Sequence, residues 1–143
     1  MAIPLRTATQ GTFFITTNCY NRRRIFQVTR NAELFLETLE HYRSHFLLHA
    51  YVLMPDHAHL ILTPGDKTLS QVMNLIKGGF SHRLASKLPV WQRGYTDHFI
   101  QSREDFITRQ TYIHQNPVTA NLAKTPEAHP YTSANPIIRL DPY

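Results

Sequence analysis

Between Ala50 and Thr63 the chain reads as two β-strands separated by no more than Pro55-Asp56. Ala50 to Met54 and His57 to Thr63 are largely apolar runs of strand length, and Pro55-Asp56 has the chemistry of a tight turn. So short a connection has no room for a crossover, so the strands must pair antiparallel. Any other strand in the chain must add to a sheet already begun there. The same stretch sets His57 and His59 two residues apart, and because side chains alternate along a strand, both imidazoles project from one face, where they can share a ligand.

The flanking sequence supplies the rest of a sheet. Gly11 to Tyr20 is rich in β-branched and aromatic residues and ends at Asn21 and Arg22-Arg23-Arg24, a first strand. Asn31 is placed to cap a helix whose apolar positions Leu34, Phe35, Leu39, Tyr42 and Phe46 keep a 3.6-residue period. After the hairpin, Leu69, Val72, Met73, Ile76, Phe80 and Leu84 mark a second helix, in which Gly78-Gly79 costs about 1 kcal/mol per glycine and would suit a bend. Trp91 to Ile100 is aromatic-rich and reads as a fourth strand or an extended arm around Gly94. Ser102-Arg103-Glu104-Asp105 resembles a capping box opening a third helix, which Asn116-Pro117 should stop at about Gln115. Beyond it, Pro126, Pro130 and Pro136 suggest an extended tail. Strand, helix, strand, strand, helix, strand is the order of the ferredoxin-like or RRM-like split βαβ: an α+β fold with an antiparallel sheet, helices on one face and a further C-terminal helix added on. His57 and His59 then sit on a middle strand, with the other face of the sheet expected to be free for a ligand.

A chain of 143 residues suits one domain, with a core over about 10–122 and a tail over 123–143. Its 42% hydrophobic and 17% charged residues are those of a folded protein. Fifteen Lys and Arg against ten Asp and Glu leave a formal +5, a modest bias towards polyanionic partners. Cys19 is the lone cysteine, which excludes an internal disulfide and a thiolate metal cluster, and it reads as a small buried residue. No apolar run approaches the roughly 18 residues of a membrane span, and Met1-Ala2-Ile3-Pro4-Leu5-Arg6 lacks a leader's apolar core. The cytoplasm, at the nucleoid, is the expected place.

A His-x-His string is common and says little by itself. The third helix adds Tyr112 and Asn116, four residues apart and so on one helical face, while Phe106 and Ile113 point elsewhere, towards the core. A tyrosine kept off the apolar stripe beside an amide is a candidate nucleophile.

Five segments taken in order carry a resemblance: Met54-Pro55-Asp56-His57-Ala58-His59-Leu60, Met73-Asn74-Leu75-Ile76-Lys77-Gly78, Val90-Trp91-Gln92-Arg93-Gly94-Tyr95, Asp97-His98-Phe99-Ile100 and Tyr112-Ile113-His114-Gln115-Asn116-Pro117-Val118. Together they resemble the single-tyrosine transposases of the HUH superfamily, and most of all the branch associated with repetitive extragenic palindromes. The resemblance implies that His57, His59 and Asn116 ligate a divalent metal and that Tyr112 attacks a phosphodiester of single-stranded, hairpin-bearing DNA, leaving a 5′-phosphotyrosine link and a free 3′-OH. One phosphodiester is exchanged for another, so rejoining needs no ATP. Imidazoles favour Mn²⁺ while abundance favours Mg²⁺, so either ion is expected. Related enzymes work as monomers or as homodimers that share the tyrosine helix, and both remain open. Ala58 is a weaker hydrophobe than many relatives place between the histidines, and the tail after Asn121 leaves little room for the DNA-binding extension of longer relatives.

Candidate DNA contacts are Arg22, Arg23, Arg24, Lys77, Arg83, Lys87 and Arg93 for phosphates, and Tyr20, Trp91 and Tyr95 for stacking on unpaired bases. His98, beside Asp97, is a possible neighbour of the site. Two other functions compete: a relaxase-like or replication-initiator-like nickase, and a non-catalytic single-stranded nucleic-acid binder on the same scaffold. The second would want exposed aromatics on its sheet rather than paired histidines.

Overall fold

The structure, a computed structural model, describes residues 11–143, so the Met1–Arg6 segment read above for a leader lies outside it. Strand β1 spans Phe13–Asn18, helix α1 Thr29–His41, β2 Phe46–Met54, β3 His57–Pro64, α2 Leu69–Leu84, β4 Thr96–Phe99 and α3 Arg103–Thr119. The four strands form one antiparallel sheet in the order β2-β3-β1-β4, the expected α+β split arrangement. Met54 pairs with His57 across the Pro55-Asp56 turn, and β3 lies between β2 and β1.

Alternation along the strands builds two cores. Ile15, Leu53, Ala58, Leu60 and Leu62 face Phe35 and Leu39 of α1 and Val72, Met73, Ile76 and Phe80 of α2. There Phe26, Phe35, Phe80 and Trp91 form one aromatic cluster, every pair of ring centroids 5.2 to 5.9 Å apart, a separation at which such pairs contribute about 0.5–1.5 kcal/mol beyond area burial. Phe14, Val52, Met54 and Ile61 point the other way and meet Phe106 and Ile113 of α3. The face expected to be free is therefore covered over its middle by α3.

Several boundaries differ from the sequence expectation. Helix α1 stops at His41, a short 3-10 turn over Arg43–His45 follows, and Phe46 is the first residue of β2. Phe46 follows Tyr42 by four positions, so it continued the helical period by coincidence. Asn31 is not the cap: it lies in the first turn, and its amide donates to the Ile25 carbonyl at 3.0 Å. Helix α2 continues through Gly78-Gly79 to Leu84. Of Trp91 to Ile100 only Thr96–Phe99 is a strand, and Trp91 makes a single bridge to Cys19.

Helix α3 begins where Ser102 accepts the Asp105 amide, but it runs past Asn116-Pro117 to Thr119. Pro117 has no N–H to give one turn back. It is buried all the same, and the bonds from Ala120 to the Asn116 carbonyl and from Leu122 to the Pro117 carbonyl close the last turn at 3.0 and 2.8 Å.

The segment after α3 lies along the outer edge of β2. Leu53 donates to the Tyr131 carbonyl, Ser133 to that of Tyr51 and Asp141 to that of Leu48, while Val52 forms a bridge with Thr132. Among the described residues no helix is long and apolar enough to cross a membrane.

Candidate active site

Register decides what surrounds the histidines. Thr16 of β1 stands opposite His59 and Asn18 opposite His57, and the Thr16 hydroxyl lies 2.9 Å from His59 Nδ1. His57 Nδ1–H donates to Asp56 Oδ1 at 2.7 Å. Each ring is thus held through Nδ1, the arrangement by which second partners orient a ligating imidazole. With the proton on Nδ1, Nε2 of each ring carries a lone pair.

Helix α3 brings Tyr112 and Asn116 to the same place. They line a cleft of about 500 Å³ with His57, His59, Arg22 and Thr16. The Tyr112 ring meets the His59 ring edge-on, centroids 5.4 Å apart, and the two histidine rings are 4.8 Å apart. Phe14 packs against both His59 and Tyr112, stacked on the first at 5.3 Å and edge-on to the second at 6.0 Å. Tyr112 is half exposed and its phenol is accessible from the cleft.

His59 is buried, and burial, with the neighbouring His57, pushes its pKa down to about 3. It is therefore neutral at physiological pH. Its Nε2 is buried with no hydrogen-bond partner, which normally costs free energy. Among the described residues no group of three or more His, Cys, Asp or Glu gathers as a metal cluster. The donors at the cleft are two imidazoles and the Asn116 amide, and the orphaned nitrogen is what a cation bound there would satisfy. Burial raises the Asp56 pKa, but hydrogen bonds from Arg22 and His57 outweigh it and hold the carboxyl below the usual range.

The other basic candidates scatter. Arg22 lines the cleft, whereas Arg23 donates to the Pro89 carbonyl and Arg24 to Gln27. The Lys77 ammonium donates to the carbonyls of Gln92 and Gly94, beneath Trp91 and Tyr95. Arg83 stacks on Tyr42 and donates to the Gly79 carbonyl. Arg93 and Tyr95 line a second, smaller cleft that shares Thr16 and Asn18 with the first. Lys87 and Tyr20 are exposed, and Trp91 lies within the aromatic cluster, its indole N–H on the Lys77 carbonyl. His98 Nε2–H donates to Asp105 at 2.9 Å and its Nδ1 accepts from Arg109, so it ties β4 to the start of α3 and does not line the cleft. Burial pushes the Cys19 thiol up to about 12, which makes it unreactive.

Sequence reasoning missed Thr16 and the part played by Asp56. The position of Asp56 directly before His57 was a usable signal. Thr16 had none, because its place depends on the register of β1 on β3.

Residues 9–116 match the family model described as IS200-like transposase. The chain belongs to the IS200-like transposase family. Among proteins of known sequence it is 31% identical over 126 residues to the REP-associated tyrosine transposase of Escherichia coli, covering 86% of this chain and 76% of that one. A solved REP-associated tyrosine transposase bound to a REP hairpin superposes on this IS200-like chain with a TM-score of 0.73 at 29% identity, over 87% of this chain and 76% of the other. A second solved structure, from Deinococcus radiodurans, shares the fold at 18% identity, with a TM-score of 0.51 over 71% of this chain and 87% of the other. The family read from the five sequence segments is the family found.

Proposed function

We propose that this protein cuts and rejoins single-stranded, hairpin-bearing DNA by transesterification, with Tyr112 as the nucleophile. Family membership supports a transposase role, and the relative solved on a REP hairpin supports a palindromic partner. The observation that carries the chemistry is the meeting of Tyr112 with His59 at a cleft that also holds His57 and Asn116. A nickase would use the same groups; the transposase kinship of both relatives favours strand transfer.

In the proposed reaction the Tyr112 Oη forms a bond to phosphorus as the bond from phosphorus to the 3′ oxygen breaks. The phenol proton leaves to solvent or a base, and the departing oxygen takes up a proton to become the 3′-OH. The 5′ end stays on Tyr112 as a phosphodiester, and attack by another 3′-OH reverses the exchange. His57, His59 and Asn116 would hold a divalent ion, Mg²⁺ or Mn²⁺, which when bound supplies Lewis acidity to the phosphate. Thr16 and Asp56 keep the two imidazoles oriented. Phe14, packed against both His59 and Tyr112, buttresses the phenol beside the imidazole pair. Tyr112 meets His59 of its own chain, an arrangement in cis with which a monomer could act, within one transposase domain working at the nucleoid.

Incubating the protein with labelled hairpin DNA and Mg²⁺ or Mn²⁺ should yield an adduct that survives denaturation. Tyr112→Phe should abolish it. An undiminished adduct with that variant, or none with the wild type, rejects the reading.

A further inference from the structure

Of the three successive arginines, only Arg22 lines the cleft, and the backbone is contorted to bring it there. Asn21 and Arg22 both hold φ of +53°, a left-handed conformation that L-residues adopt reluctantly and that persists where surroundings impose it. Those surroundings are the hairpin turn. Cys19 donates to the Asp56 carbonyl at 2.9 Å and Phe26 to that of Pro55 at 3.0 Å, so the 19–26 segment is stitched to the residues that precede His57. Arg22 Nε donates to Asp56 Oδ2 at 3.0 Å while the other oxygen of the same carboxylate holds His57. Asp56 thus sets the direction of the imidazole and of the guanidinium together.

A surface ion pair alone does not require this. An exposed arginine reaches a neighbouring carboxylate from ordinary backbone, and such pairs contribute little. What two left-handed residues achieve is the position of the guanidinium head: bonded through Nε, it leaves both Nη groups for the cleft that Tyr112 lines. A planar fork of N–H donors matches the non-bridging oxygens of a phosphodiester.

We propose that Arg22 is a catalytic residue that grips the non-bridging oxygens of the phosphodiester attacked by Tyr112, aimed by Asp56. This rests on the nucleophile reading above. Negative charge on those oxygens grows as the phenol attacks, so a donor fixed in advance favours the transition state over the bound substrate.

Arg22→Ala should form the covalent adduct about 10²-fold more slowly than wild type, as for loss of one preorganised donor. Arg22→Lys should recover only part of that loss, because one ammonium cannot bond Asp56 and span two oxygens. On hairpin DNA carrying a neutral methylphosphonate at the scissile position, wild type and Arg22→Ala should react at rates within about threefold of each other, since the charge that Arg22 meets is gone. Wild-type speed for Arg22→Ala on ordinary DNA, or the same deficit on both substrates, overturns the assignment. Metal-free binding gives a readout independent of cleavage: neutralising that phosphate should weaken binding by Tyr112→Phe protein and leave the Tyr112→Phe/Arg22→Ala protein unaffected. Equal weakening in both proteins also overturns it. Absence of adduct from the wild type rejects the nucleophile reading instead, and the binding comparison still decides Arg22, with the methylphosphonate moved along the strand.

Discussion

His59 concentrates the tension at this site. The fold buries an imidazole and leaves its Nε2 without a partner, and that arrangement ties stability to pH. Burial, and then His57, hold its folded pKa at about 3, below the unfolded value near 6.5. A depressed histidine pKa means that the unfolded chain takes up the proton first. The stabilising contribution is complete above about pH 6.5 and is lost as pH falls towards 3. Metal-free wild type should lose about 2 kcal/mol between pH 7.5 and pH 5 from this residue alone. His59→Asn should lose correspondingly less, which urea unfolding at the two pH values measures; parallel losses would reject the argument. At this scale the sequence was informative about type and spacing: two imidazoles on one strand face and a phenol four residues from an amide on one helix face. It was silent on Thr16 and on which arginine of three turns inward, because strand register and a left-handed φ are settled by tertiary contacts rather than by residue type.

Gly79 of α2 lies close against Tyr42, the residue that follows α1. A Cβ at Gly79 would lie 2.6 Å from the Tyr42 ring and 2.9 Å from Arg83 Nη1, whereas one at Gly78 would meet nothing within 4 Å. Adjacent glycines in one helix therefore have opposite meanings. Gly78→Ala should raise stability by about 0.5–1 kcal/mol, the ordinary helical gain. Gly79→Ala should forfeit that gain because Tyr42 and the Arg83 stacked on it must move. A thermal melt of the two variants separates them, and equal stabilisation would show that the close approach is unimportant. The sequence revealed the two helices through their apolar period but not this close approach. It also left α3 looking like an appendage, since Phe106 and Ile113 are few anchors for a long helix. Only the sheet's second apolar face, Phe14, Val52 and Ile61, shows why α3 lies flat and why Tyr112 lands beside His59.

Across the whole molecule, His57, His59 and Tyr112 gather at the hairpin end of the sheet while the last residues secure the edge of β2. Arg43, after α1, bonds Asp141, and both side chains are largely buried. Asp141 also accepts the Leu48 amide, and although burial raises its pKa, these bonds hold it below the usual carboxylate range. Asp141→Ala should destabilise the protein by about 2 kcal/mol, because the buried Arg43 guanidinium loses one of its two carboxylate partners, keeping Glu40, and the Leu48 amide loses its acceptor. Adduct formation well below the new melting temperature should persist, since the pair is remote from the cleft. A loss of activity without loss of stability would contradict that separation. The proline-rich tail gave no sign in sequence of this role, because its edge bonds to β2 use backbone groups that any residue can supply, and its Asp141 meets Arg43 only through the fold. Its effect reaches beyond the single molecule. A sheet offers growth at two margins, and here the 131–141 segment occupies that of β2, while among the described residues no strand pairs with the outer side of β4. Copies joining strand to strand could use one margin each, so such association ends at two and cannot propagate into a fibre.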